Sequence, residues 1–235
     1  MDIYIILITL GFLLGFFIES IFGFAGTVVS FAVLGIFMDI KTLVTLILYV
    51  ASVASLLVLL SDRKSFSKEN FVLMTSLALP GSILGAFLFD ILSSDFLFNL
   101  LSILLIFLGI QSIWNPKFKV KTQKVLLFLS GIIHGLFGLG GVIAIGTMKN
   151  SFQNKSQLRV TFAAFFLSIN FIRLIQYFLQ GSLNGSEILK FWWIPFPLII
   201  TIFLGHKIHL RISEQLFKRG ISFLLLFAGT YFLLT

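Results

Sequence analysis

The segment Phe22-Gly23-Phe24-Ala25-Gly26 returns 115 residues later as Phe137-Gly138-Leu139-Gly140-Gly141, each time interrupting an apolar stretch that would otherwise read as a membrane helix. Lipid supplies no hydrogen bonds, so backbone that leaves the helix at membrane depth survives only where protein or a wet cavity surrounds it. In transport proteins that cavity is usually the substrate site. Two matched interruptions therefore point to a transporter, with the breaks as the candidate active centre.

The composition leaves room for little besides an integral membrane protein. Of 235 residues, 58% are hydrophobic and 11% charged, and the 30 Phe lie far outside soluble usage, where about a quarter of residues are charged. With no Cys and three scattered His, at 134, 206 and 209, disulfides, thiolate chemistry and Cys-ligated metal are excluded and other metal centres are not expected. The start, Met1-Asp2-Ile3, lacks the basic region of a signal peptide, so the first apolar run is read as a membrane element. The net charge of +8 sits in short loops between apolar runs. It is a topology signal and gives no reason to expect nucleic acid.

Six runs are long enough to cross a hydrocarbon core of about 30 Å: 42–60, 71–89, 96–114, 158–179, 188–204 and 216–234. The broken regions are 3–38 and 125–148. As helices, the two arms of the second would rise only about 20 Å and about 10 Å. If each broken region crossed the membrane once, the loop cations would divide evenly between the two sides. If each enters and returns on one side, the loop Lys and Arg divide fourteen to two, with only Lys41 and Lys190 on the minority face. The positive-inside rule selects the second threading. The expected fold is thus an all-α membrane protein of two inverted-topology repeats. Each repeat is a broken or re-entrant helical hairpin followed by three transmembrane helices, and the basic loops are cytoplasmic.

The repeat extends past the breaks. At an offset of 120, Gly85, Ser93, Ser102 and Gly109 match Gly205, Ser213, Ser222 and Gly229. The change of offset implies a short insertion near 150–154. The chain is read as a single membrane domain over 1–235, with repeat one at 1–115, repeat two at 116–235 and the basic loop around Pro116 to Lys124 as the joint.

Two halves that each open on a Gly-rich break, with Pro80-Gly81 leading to Gly85 in the run 71–89 and a Gly-bearing final helix, resemble the sulfite exporter TauE/SafE family, also called toluene sulfonate uptake permeases. The likeness covers essentially the whole chain. It departs at Ala25, where the family usually has a third glycine, and at Ile200-Thr201, where the second half has no Pro-Gly and carries Pro195 and Pro197 nearby. The resemblance implies a permease for sulfite, thiosulfate or small organosulfonates.

The residues themselves also point to an anion. The second arm of each hairpin would begin at the tip, where its free N–H groups and positive dipole end suit an oxyanion. Gly23, Ala25, Gly26, Gly138, Gly140 and Gly141 are the candidate backbone contacts, since glycine allows close backbone approach and positive φ. Close helix packing is the competing explanation. Arg173 is the only Lys or Arg well inside a run, and it shares a helix face with Phe166, Asn170 and Tyr177. Asn170 and Arg173 are therefore candidate substrate contacts, although Arg173 lies about 9 Å of rise from the outer end and could snorkel. Glu19 and His134 each stand four residues before the first glycine of their break. They are candidates for proton coupling, or Glu19 locks its hairpin by pairing with Arg173 or a backbone donor. His206 and His209 are read as solvated in a basic loop, and Trp192 and Trp193 as an interfacial belt.

No Walker loop, HExxH, serine elbow or carboxylate cluster occurs, so an enzyme is not expected. The favoured class is a secondary transporter or facilitator of small sulfur-containing anions, bound near mid-membrane between the two breaks. The alternative is an anion channel or a non-transporting membrane subunit. Expected partners are the anionic substrate and the lipid bilayer, with a homodimer left open. No cofactor and no metal are expected, and the location is the plasma (inner) membrane.

Overall fold

The computed structural model describes residues 3–22, 26–114, 122–180, 185–208 and 214–234. Among these the fold is all-helical, and the order is α1 (Ile3–Phe22), α2 (Gly26–Leu34), α3 (Ile40–Ser61), α4 (Lys68–Ile91), α5 (Ser94–Trp114), α6 (Gln123–Phe137), α7 (Gly141–Met148), α8 (Lys155–Gln180), α9 (Gly185–Lys190), α10 (Pro195–Ile208) and α11 (Glu214–Leu234). Four helices, α1, α3, α4 and α8, are long and apolar enough to cross a membrane. Their exposed faces carry large apolar side chains such as Leu10, Phe87 and Phe178. Water would penalise such faces and lipid does not.

Both breaks fall where the sequence puts them, and at both the chain turns back on itself. In the first, Gly11 packs on Leu34 and Gly15 on Ser30 and the Gly26 carbonyl, the reversed order of an antiparallel hairpin. In the second, α6 ends on Gly138, whose φ of 75° is left-handed and whose N–H returns to the His134 carbonyl at 2.7 Å. Glycine closes a helix this way because it has no Cβ to clash. The arms are unequal. α1, with 20 residues, rises about 30 Å and can span alone, whereas α2 and α7 rise about 14 Å and about 12 Å.

One expected span is corrected. The run 188–204 is not a single helix: α9 stops at Lys190, a turn occupies 191–194, and α10 begins at Pro195. Proline lacks an N–H and disfavours helical geometry in the residue before it, so it suits the first position of a helix and breaks the interior of one. His206 lies in α10 rather than in a loop; His209 and the central joint at 115–121 are outside the described residues.

The helices cluster into two compact units, one of Met1–Ile47, Leu92–Lys117 and Ser186–Thr235 and one of Leu48–Ile91 and Phe118–Gly185. In the first unit α1 packs on α2 and α10, and α5 on α11. Gly109 of α5 meets Leu226 and the Ser222 carbonyl, while Gly229 of α11 meets Ile106 and the Ser102 carbonyl. Gly205 of α10 sits against Phe17 and Ser20 of α1. In the second unit α4 packs on α6 and α8, and α6 on α7. Gly81 and Gly85 of α4 press on the Phe128 and Ile132 carbonyls, and Gly131 and Gly135 of α6 press on the carbonyls of Ala78 and Ser82. Any Cβ at these four positions would strike backbone. Lipid gives helices no hydrophobic reason to associate, so such small-residue contact is what holds a pair together. Pro80, inside α4, adds the missing hydrogen bond of an interior proline beside that crossing.

Candidate functional site

The second unit gathers most of the polar candidates around the second hairpin. Phe166 of α8 organises them. Its ring stacks on the His134 ring of α6 at 5.5 Å between centroids and 8° between planes. The same ring fills the space beside Gly141, where a Cβ would lie 2.7 Å from its Cζ. One turn further along α8, Asn170 Oδ1 accepts from His134 Nε2 at 2.9 Å, and both side chains are buried. That bond leaves Nδ1 as the acceptor of a neutral imidazole. It has no partner among the described residues.

Arg173 stands on the same face. It is 1% exposed, so it does not snorkel. Its Nη2 donates to the Tyr177 hydroxyl at 2.9 Å, and its guanidinium carbon lies 5.4 Å from the centre of that ring. A ring face within about 6 Å attracts a cation. Tyr177 in turn stacks on Phe89 of α4 at 5.7 Å. Among the described residues no carboxylate pairs with Arg173, and its Nε has no hydrogen-bond partner. Asp90 of α4 lies near enough to act on Tyr177, but a buried cation that no carboxylate touches directly is costly unless something else supplies the charge.

The glycines of the second break are tightly packed as well as close to these groups. Gly138 needs its positive φ, and Gly140 lies against the Ser130 carbonyl and the His134 Cβ. Their identity is thus explained by packing whether or not they touch an anion. α7 begins directly after them, and its first N–H groups have no acceptor within the helix. The sequence reading missed Ser130, fully buried with an unpartnered hydroxyl one turn before His134. Its i−4 spacing from His134 was the available signal.

In the first unit, Gly23 and Ala25 lie outside the described residues. Glu19 is half-buried and accepts from the Gly26 N–H at 3.1 Å, the backbone-donor arrangement. Arg173 and the second break belong to the other unit.

The sulfite exporter TauE/SafE family model matches residues 7–232. The chain belongs to that family. It is accordingly a multi-pass membrane transporter of the sulfur-anion class, rather than an enzyme. No curated protein and no solved structure matches it.

Proposed function

From that membership we propose that the chain is a permease, a secondary transporter or facilitator, which carries sulfite, thiosulfate or a small organosulfonate across the plasma membrane. The anion rests at the second hairpin against Arg173, Asn170 and the start of α7. The observation that carries this reading is Arg173, a fully buried cation whose side chain finds a tyrosine and no carboxylate among the described residues. An incoming oxyanion supplies the missing charge, and a bidentate guanidinium suits a sulfur oxyanion's geometry. His134 Nδ1 can accept a proton or a hydrogen bond from a protonated anion, so His134 is the proposed coupling group within the site.

The inverted repeat is part of the same proposal and is supported by reciprocal packing. Gly109 against Ser222 is answered by Gly229 against Ser102, each residue matching its counterpart at the offset of 120. Gly85 against Ile132 and Gly135 is answered by Gly205 against Phe17 and Ser20, and here the hairpin residues match at the offset of 115. Such matched contacts, each within its own unit, are what two repeats of one fold produce. The test is uptake into proteoliposomes of labelled sulfite, thiosulfate, sulfoacetate, sulfate and chloride, side by side. Saturable uptake of one of the first three, absent for chloride, is expected. Flux that does not saturate, or that favours chloride, would make the protein a channel and overturn the proposal.

A further inference from the structure

The two hairpins pack alike but differ at their tips. Four residues before the first glycine of its break, the second hairpin carries His134 and the first carries Glu19. In the first hairpin the carboxylate folds over the start of α2: Oε2 accepts from the Gly26 N–H at 3.1 Å, with the Thr27 N–H beside it. Gly26 has no side chain because Glu19 is there; a Cβ would lie 2.5 Å from Oε2 and 2.8 Å from the Glu19 Cβ. The N–H groups of this helix start are therefore already capped by a carboxyl, the protein's own. Among the described residues no Lys or Arg pairs with Glu19, so what its carboxyl meets is the N–H groups and the positive dipole end of α2. Close by, where Gly15 meets Gly26, the fully buried Ser30 hydroxyl has no partner among the described residues.

We propose that Glu19 is a tethered anion which fills the first hairpin's oxyanion position, so that the chain holds one substrate anion, at the second hairpin only. The inference rests on the second hairpin being the substrate site. It makes Glu19 a specificity-determining residue: its carboxylate excludes free anions from α2 and fixes the stoichiometry of binding. Removing the carboxylate opens a second position for a small oxyanion.

The probe is acetate, whose atoms replace the Cγ, Cδ and both Oε of glutamate when Glu19→Ala is made in the full-length chain. Thermal unfolding of the purified variant in detergent is followed against acetate, with chloride at equal ionic strength as the control. Glu19→Ala is expected to melt below the parent and to regain most of that loss, saturably, in acetate and not in chloride. The parent and Glu19→Gln, whose amide oxygen still accepts from Gly26, stay unmoved. Equilibrium dialysis with labelled sulfite then reads one site per chain in the parent and two in Glu19→Ala, the second displaced by acetate. Acetate that leaves Glu19→Ala unchanged overturns the proposal. So does recovery of Glu19→Gln without Glu19→Ala, even when acetate is present throughout purification, and so does loss of both variants, which would make Glu19 a folding determinant alone. Arg173→Met separates the two readings. If that variant still binds one sulfite, the second-hairpin assignment fails, while acetate rescue still decides the role of Glu19.

Discussion

Replacing Arg173 by methionine should abolish function while leaving substrate-free stability nearly unchanged. The guanidinium is 1% exposed, donates one hydrogen bond to Tyr177 and pairs with no carboxylate among the described residues. Replacing a buried ion pair by apolar side chains is commonly neutral or stabilising by about 1–4 kcal/mol, and exchanging the lone Arg173 charge for methionine removes a desolvation cost of the same kind. Against this stands the loss of one charge-assisted hydrogen bond, roughly 1.5–3 kcal/mol. The two nearly cancel, so the substrate-free variant should melt close to the parent. With substrate the balance changes. A ligand at a hundredfold its Kd stabilises the native state by about 2.7 kcal/mol, which for a chain of this size is about 5–10 °C in Tm. Arg173→Met should lose that shift entirely, together with saturable uptake. The assay is thermal unfolding in detergent with and without sulfite, alongside proteoliposome uptake of the same preparation. A variant that melts well below the parent without substrate yet keeps both the shift and the uptake would make Arg173 a structural residue, and the charge-compensation argument would be wrong.

Asn170→Leu should leave His134 Nε2 unpaired and cost about 1–3 kcal/mol of stability, whereas Asn170→Asp keeps the acceptor; a difference in Tm between the two checks this. Gly131→Leu or Gly85→Leu should prevent α4 and α6 from closing and abolish recovery of folded protein, measured by monodispersity in detergent, because a Cβ at either position meets backbone. Asp62, in the turn after α3, is held below the usual carboxylate range by the hydroxyls of Ser156 and Ser65 and by the nearby Arg159 charge. A lowered folded value contributes stability that is full above the unfolded carboxylate range and is lost as pH falls from there through the folded value, so the Tm gap between parent and Asp62→Asn should be flat from neutral pH down to about pH 5 and shrink below. Single cysteines at Ser65, Thr122 and Ser151 of this Cys-free chain should all react from the cytoplasmic side; labelling of Ser151 from outside would break the inverted topology.

What the sequence made legible follows from how local the physics is. Apolar run length located α3, α4, α5, α8 and α11 closely, because a membrane helix satisfies its backbone within itself and needs no partner to be recognised. The span at 188–204 failed for an equally local reason: its hydropathy is continuous, but Pro195 and Pro197 impose a helix start that hydropathy does not register. On α8 the spacing of Phe166, Asn170, Arg173 and Tyr177 put all four on one face, and the structure shows Phe166 and Asn170 against His134 and Arg173 bonded to Tyr177. Whether Arg173 faced the interior or the interface was not legible, since its distance from the helix end suits both. Ser130 was missed because a lone serine in an apolar helix carries no pattern of its own.

The glycines are where pattern and chemistry separate. Gly140 and Gly141 have no room for a Cβ, and Gly138 needs its left-handed φ, so every glycine of the second break is required by packing before any anion arrives. Their recurrence in both halves therefore argues for a shared way of turning the chain, and the chemistry must be read from the residues that differ. At the matched tip position one half has a carboxyl lying on its own helix start and the other an imidazole with an open nitrogen, on the hairpin that faces the α8 helix of Arg173, a buried arginine that pairs with no carboxylate among the described residues. A duplicated hairpin that supplied two equal oxyanion positions would have to bring two anionic charges into lipid-depth protein together, at a steep desolvation cost. With the Glu19 carboxyl already seated on one helix start, only the other position is left to fill and empty.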